Sequence, residues 1–431
     1  MRDENGKKRV VVTGMSINTG LGDTLEGFRD ALYAGTSAIR EWKAFPTERV
    51  YSKIGGDLSD YDVPSRLQAL ESALPPATFK RLRKLVARAP WTTRLTMLLG
   101  ASAWVDANLG GDGDGLDEAA VIVAGHNLNA LYIYKTRDTF EDEPDFIDGM
   151  TSLYSLDTDH AGSLSEALQL RGPIYTVGGA CASGNVALRA AIDEIRHHGA
   201  PIALVVGAVL EFTPLDVHAM ALMGAITHQS FNAEPARASR PYDVRREGFV
   251  PSHGGAGLVI ESLESALRRG ARIHAEVLSC AAGSDGNHLP QPSEEGQART
   301  MLRALREAGI RPEEVDYVNV HATSTHLGDL TELRSIKRVF GSHAPKLRLN
   351  APKSMLGHTC WAAPTVETVA GILQMNASRL HRSINIDELD PEVDLDVCRD
   401  GNVDARVGVF MKNSFGFGGI NCVSVFRRFE G

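Results

Sequence analysis

The sequence predicts a layered α/β protein, on two observations: short β-branched runs bounded by glycine recur along the chain, and stretches with helical spacing lie between them. Residues 10–14, 121–125, 202–207, 257–261, 315–321 and 407–411 read as buried strands, with a shorter run at 174–177. Residues 25–34, 187–198, 265–269 and 298–308 carry the helical spacing. The 42 glycines in 431 residues exceed the usual ~7 %, which suits many tight strand-to-helix turns. Residues 110–115, Gly-Gly-Asp-Gly-Asp-Gly, read as a surface turn rather than a linker. No period of about 20–50 residues argues for a solenoid. Any division of the chain is therefore tightly packed, and is placed near Leu263, giving units 1–263 and 264–431.

Composition excludes several classes. Lys and Arg number 45 against 54 Asp and Glu, a net charge of −9, so no cationic excess exists to neutralise a nucleic acid. No uncharged apolar run approaches the ~18 residues a membrane span needs. The five cysteines, Cys181, Cys280, Cys360, Cys398 and Cys422, are scattered singly, and the charged N-terminus lacks the apolar core of a signal peptide. A reducing cytoplasm is the expected location.

Cys181 lies in Gly178-Gly179-Ala180-Cys181-Ala182-Ser183-Gly184, between the 174–177 run and a helix that stops at Gly199. The expected geometry is a strand, a sharp turn of small residues, then a helix whose first turn carries the thiol. Unpaired amides at that helix end are expected to lower the thiol pKa and make it a nucleophile. Taken alone, a cysteine among small residues is more often a packed thiol. The strand at 315–321 runs into His321-Ala322-Thr323-Ser324-Thr325, placing His321 at a strand C-terminus, where open α/β sheets collect ligands. A second such place is Lys353-Ser354-Met355-Leu356-Gly357-His358-Thr359, leading into an apolar helix with a buried-looking Glu367. Each histidine alone has the bland reading of a hydrogen-bonded core or surface imidazole. His321, His326, His358 and Cys360 match no zinc-ligand spacing, so no metal is expected. Near the C-terminus, Asn413-Ser414-Phe415-Gly416-Phe417-Gly418-Gly419 invites a phosphate reading, yet a strand rather than a helix follows it. A loop of this kind better serves to bring backbone amides to a reacting carbonyl while its phenylalanines close a pocket.

These four motifs, in this order, resemble the β-ketoacyl-acyl-carrier-protein synthases, the elongating ketosynthase branch of the thiolase superfamily. Val10-Val11-Val12-Thr13-Gly14, Ser239-Arg240-Pro241-Tyr242-Asp243 and Gly328-Asp329 extend the likeness along almost the whole chain. The resemblance implies a thiolase-like five-layered αβαβα fold from two similar halves, and a homodimer. It implies that Cys181 takes an acyl group from the phosphopantetheine of an acyl carrier protein, with the amides of Cys181 and Phe417 as oxyanion hole. His321 and His358 would stabilise the enolate left when malonyl-carrier loses carbon dioxide, and a Claisen condensation would follow. Lys353, near Glu367, would orient the histidines; Thr323 and Thr325 would line the pantetheine arm; Phe415 and Phe417 would gate; Asp329 would support the loop. No resident cofactor is implied, since the substrates ride on the carrier's phosphopantetheine. The basic run Lys80, Arg81, Arg83, Lys84, with Arg88 and Arg94, resembles a carrier-docking helix, against a bland reading as a solvated face.

Departures bear on the substrate. Cys360-Trp361-Ala362-Ala363-Pro364 puts an indole and a proline where the family has glycines, and His126 and Asn127 are expected at the acyl-pocket floor, where each unpaired polar group would cost about 1–3 kcal/mol beside an alkyl chain. A short or polar acyl group is expected, in a specialised polyketide-pathway enzyme. Ala322 replaces a glycine, and His326 stands where proline is frequent. Two alternatives remain: a malonyl-carrier decarboxylase making acetyl-carrier for β-branching, whose cysteine is usually replaced, and a chain-length-factor-like subunit, which lacks the catalytic set.

Overall fold

The alternating strands and helices resolve into one sheet order used twice. In this computed structural model, which describes residues 1, 6–110 and 118–431, the first set of strands is β1 (Val10–Thr19), β2 (Ala120–Ala124), β3 (Ile174–Val177), β4 (Ile202–Gly207) and β5 (Gly254–Ser262). The second is β6 (Ala275–Ser284), β7 (Tyr317–Asn319), β8 (Arg348–Asn350), β9 (Val409–Gly416) and β10 (Ile420–Arg427). Across the sheet the order is β3-β2-β4-β5-β1 and then, read from the far edge, β8-β7-β9-β10-β6. Each set thus runs third, second, fourth, fifth, first, and the parallel and antiparallel pairings match pair for pair. β1 pairs briefly with β6 over residues 10–12, which joins the two sets into one ten-stranded sheet. The glycine-rich turn expected at 110–115 lies, apart from Gly110, outside the described residues.

Local signals explain the ends of the elements. Helix α1 (Leu25–Ala34) begins where the Thr24 hydroxyl accepts from the Gly27 N–H and ends at Gly35 with φ 71°, as a capped helix should. Helices α2 (Pro76–Val86), α3 (Trp91–Asp106) and α4 (Thr158–Leu168) cover the outer face of the first set and share a core with it. On the inner face, after β3, lies α5 (Ser183–Asp193), which continues as a π turn over Glu194–His198 and stops at Gly199. Helices α6 (Glu294–Ala308) and α7 (His326–Phe340) cover the outer face of the second set. The inner face of that set receives α8 (Ala363–Ala377). A single inner core binds α5 and α8 to both sets, so the layers run helix, sheet, helix, sheet, helix. This is the five-layered αβαβα thiolase-type α/β fold.

Two strands differ from expectation. β9 starts at Val409 and runs through Gly416, because the polar Asn413 and Ser414 find internal partners: Asn413 Nδ2 donates to Glu332 at 2.9 Å, and Ser414 Oγ accepts from Asn185 Nδ2 at 3.2 Å. The run at 315–321 gives only three strand residues, since the Asp316 carboxylate caps the Gly408 and Val409 amides at 2.7 and 3.0 Å.

The central helices touch where the sequence is smallest. A Cβ on Gly184 would meet Thr365 Oγ1 at 2.5 Å and Pro364 Cβ at 3.0 Å, so only hydrogen fits between α5 and α8. Gly184→Val should destabilise the fold by about 1–3 kcal/mol through overpacking, read as a lower urea midpoint. An unchanged midpoint would show that the two helices separate freely and that this contact carries no constraint.

Candidate active site

Each half ends its third strand in a turn that leads into a central helix, and the two turns meet. Ala180–Ala182 precedes α5 and Cys360–Ala362 precedes α8, each a single 3₁₀ turn. Their first residues, Ala180 and Cys360, both take left-handed φ values, 46° and 47°, which a residue with a Cβ adopts at a cost. Cys181 is the second residue of the first turn, and Trp361 holds the same register in the second. Ser183 pins the first turn: its Oγ accepts from the Gly179 N–H at 2.9 Å and donates to the Ala180 carbonyl at 2.7 Å.

Cys181, His321 and His358 line one cavity of about 330 Å³, together with Thr323, Thr325, Phe415 and Phe417. The two imidazoles stand edge to face with centroids 5.4 Å apart, and Phe415 packs 5.8 Å from His321. Gly416 passes so close to the cysteine turn that a Cβ would lie 2.8 Å from the Gly179 carbonyl and 3.2 Å from the Cys181 nitrogen. That approach brings the Phe417 N–H, with the Cys181 N–H, to the sulfur. Both amides are donors for an oxyanion forming at that point.

The electrostatics correct one expectation. Burial pushes the Cys181 thiol up to about 11, against the opposing pull of the Lys353 ammonium and the two amides. Desolvation of a buried thiolate outweighs the helix end, so the resting group is a thiol rather than the lowered-pKa thiolate read from the sequence. Burial also holds both imidazoles well below the usual histidine range, assisted by the Lys353 and Lys412 ammoniums. Neither ring is charged at neutral pH. Nδ1 of His321 and both ring nitrogens of His358 are buried without a hydrogen-bond partner among the described residues. Buried polar atoms left unpaired at a cavity wall are suited to a polar ligand.

Behind the histidines lies a buried ionic group. Lys353 and Lys412 both pair with Glu367, Lys353 at Oε1 and Lys412 2.7 Å from Oε2. Glu332 fixes the His321 loop, accepting from the N–H of His321 at 2.8 Å, of Ala322 at 2.9 Å and from Asn413 Nδ2 at 2.9 Å. Ala322 takes φ 28° and Ser324 φ 70°, so this clamp holds a strained loop. Asp329 completes it, accepting from the N–H of Ser324, Thr325 and Tyr242 at 3.0–3.3 Å. Burial raises its carboxyl to about 6 despite Arg246, 3.6 Å away. Glu332 and Lys412 were not singled out from the sequence. A lysine in an otherwise apolar strand, in phase with Phe410, was the available signal for Lys412.

The expected acyl-pocket residues sit elsewhere. Asn127 is exposed, with φ 53°, and its amide and that of Leu128 bond Asp157 at 2.9 Å. It does not form a buried floor, because this turn folds outward onto Asp157. His126 is half-buried and stacks on Trp361 with centroids 4.2 Å apart. Neither lines the 330 Å³ cavity. Trp361 and Cys360 instead join an apolar cluster with Trp42 and Phe212. His326 is exposed at the cavity mouth. Lys80, Arg83 and Lys84 are exposed along α2, whereas Arg81 is half-buried and bonds Thr78.

Comparison with known proteins returns one family. Residues 7–266 match the family model "Beta-ketoacyl synthase, N-terminal domain" and 274–387 the model "Beta-ketoacyl synthase, C-terminal domain". The chain is 32 % identical over 435 residues to the chloroplastic 3-oxoacyl-[acyl-carrier-protein] synthase I of Arabidopsis thaliana, covering 100 % of this chain and 88 % of that protein. It is 30 % identical over 422 residues to the polyketide biosynthesis malonyl-ACP decarboxylase PksF of Bacillus subtilis, covering 98 % and 97 %. Among solved structures, the ishigamide ketosynthase/chain length factor superposes with a TM-score of 0.86 at 28 % identity, covering 98 % of this chain and 100 % of that one. A type II polyketide ketosynthase in complex with its acyl-carrier protein gives 0.85 at 26 %, with the same coverage. The two matched stretches take in all five strands of the first repeat and the first three of the second, with the turns that carry Cys181, His321 and His358, and the chain belongs to the β-ketoacyl synthase family.

Proposed function

We propose that this protein is a β-ketoacyl-acyl-carrier-protein synthase acting on short or polar acyl groups in polyketide or fatty-acid biosynthesis. The observation that carries this reading is that one cavity presents a buried thiol, two amides aimed at it and two neutral imidazoles with unpaired nitrogens. Cys181 Sγ attacks the thioester carbonyl of an acyl-carrier, the amides of Cys181 and Phe417 hold the oxyanion, and the pantetheine thiol leaves with the proton. Malonyl-carrier then enters past Thr323 and Thr325. Its carboxylate departs as carbon dioxide, and the electron pair becomes an enolate whose oxygen accepts N–H donors from His321 and His358. The enolate carbon attacks the acyl-Cys181 thioester, the C–S bond breaks, β-ketoacyl-carrier leaves, and the released Cys181 thiolate takes up one proton from water to restore the thiol. The scheme balances without a resident cofactor.

A second reading has its own support. The indole of Trp361, packed with Trp42 and Phe212 on the turn that meets the Cys181 turn, and the kinship with PksF, favour decarboxylation alone, in which the enolate carbon takes a proton and acetyl-carrier is the product. Intact-mass analysis of malonyl-carrier, with and without a short acyl-carrier primer, decides between the two. Primer extended by a β-keto two-carbon unit through acylated Cys181 establishes condensation, whereas acetyl-carrier as sole product with Cys181 unmodified establishes the decarboxylase. In the condensing enzyme Cys181→Ala should abolish acyl loading and retain malonyl decarboxylation; equal loss of both would contradict the separation of roles. Trp361→Gly should admit acyl primers at least two carbons longer than wild type accepts, and an unchanged chain-length preference would remove the indole from the pocket argument.

Partners follow the same reading. α2 presents Lys80, Arg83 and Lys84 to solvent, a basic face suited to an acidic carrier protein. The sheet-edge strand β3 leaves Ile174 42 % exposed, and Phe146, Met150, Leu153 and Leu156 are exposed nearby in sequence, an apolar surface that supports a homodimer. No described helix is long and apolar enough to cross a membrane, and the five free cysteines favour a reducing cytoplasm. Arg83→Glu/Lys84→Glu should raise KM for carrier-bound substrate about tenfold with kcat within about twofold, while sedimentation gives a dimer mass. An unchanged KM would end the docking assignment, and a monomer at micromolar concentration would end the dimer.

A further inference from the structure

Side chains on β9 alternate between two faces, and Phe410, Lys412 and Ser414 share the one that packs on the central helices. Lys412 is fully buried there, at 0 % exposure, and the reaction as written above gives it no role. A buried ammonium is costly unless it is paired and hydrogen-bonded. Its Nζ donates to the Asn413 carbonyl and lies 2.7 Å from Glu367 Oε2, while Lys353 engages Oε1 of the same carboxylate. Glu367 is thus held from both sides, and the three side chains carry one net positive charge. The other titratable groups facing this cluster are Glu332, already engaged by three N–H donors, the His321 and His358 rings, the Cys181 and Cys360 thiols and the Tyr317 phenol.

We propose that Lys412 is a positioning residue for malonyl decarboxylation: it clamps Glu367 opposite Lys353 and sets a second positive charge behind the His321 and His358 pair, where the enolate develops its negative charge. The assignment deepens the ketosynthase reading and rests on it. The charge acts in two ways. It favours the anionic transition state over the ground state, and it opposes protonation of either ring, keeping a neutral N–H donor in place. Both imidazoles feel it, and burial together with Lys353 holds Lys412 itself down to about 8, although Glu367 opposes that shift.

The test is Lys412→Met, which keeps the side chain's length and removes its charge, read first by titrating the labelled imidazole resonances of His321 and His358. In wild type both rings should stay neutral from pH 8 down to about 5.5; in the variant at least one should titrate about one unit higher or more. The acid limb of malonyl-carrier decarboxylation should move up in pH by the same one unit or more, with the rate at pH 8 and acyl loading of Cys181 each changed under threefold. The sign follows from the neutral ring being the active form: raising its pKa removes activity from the acid side. Unchanged titration, or an equal loss at every pH and in both half-reactions, would overturn the proposal. Should Lys412→Met not fold, Glu367→Gln and Lys412→Met/Glu367→Gln make the same comparison without an uncompensated carboxylate, the double variant carrying the wild-type net charge. Loss of Lys412 must again raise the titration, and identical curves would overturn the assignment. The titration needs no substrate, so a wild type that neither condenses nor decarboxylates would sink the ketosynthase reading while leaving the charge assignment to be judged by the rings.

Discussion

The constraint on which the site depends is the close packing of two central helices between the sheet repeats. α5 and α8 approach until only a hydrogen fits at Gly184, and this brings together the turns that precede them. Cys181 rides on one turn and His358 lies just before the other, so neither half alone contains the reacting groups. The His321 loop is added by Glu332, which reaches from α7 to fix two backbone amides. An α/β layer that buries α5 and α8 at its centre thereby places nucleophile and imidazoles in one cavity, because the strands deliver their C-terminal ends there.

Burial then sets the charge state. Desolvation drives the thiol, both imidazoles and Glu332 toward their neutral forms, whereas the cluster of Lys353, Lys412 and Glu367 is arranged as charged groups in contact. A neutral thiol and neutral imidazoles are poor acids and bases at rest. They suit a reaction in which charge appears only in transit, first on a tetrahedral oxygen beside two amides and then on an enolate oxygen beside two rings. Preformed donors that meet charge only as it develops lower the barrier without stabilising the ground state equally.

Much of this was legible in the sequence, and the losses have physical causes. The glycine-bounded runs located the strands because buried strands are apolar on both faces, and α1 matched at both ends because Thr24 and Gly35 are strong caps. β9 was read short at its C-terminal end because Lys412, Asn413 and Ser414 look like surface residues, although each is buried with a partner from another element. Long-range pairing of that kind leaves no periodic mark. The lowered thiol was misjudged for a related reason: a helix end is visible in sequence, whereas the desolvation that outweighs it depends on Gly416 and its strand closing over the turn. The family resemblance places Asn127 inward at the acyl-pocket floor, but Asp157, 30 residues away, turns that loop outward.

The Trp361 position joins the fold to the chemistry. In the second repeat it holds the register that Cys181 holds in the first, the second residue of a 3₁₀ turn opened by a left-handed residue. One copy of the turn thus presents a thiol to the cavity, and the other presents an indole that stacks on His126 and packs with Trp42 and Phe212. A small residue at 361 would leave the cluster with Trp42 and Phe212 short of packing. The cavity that Cys181 lines extends to the exposed Leu327 and Leu289, so the thiol is reached from solvent on the side of the His321 loop rather than through the turn that carries the indole.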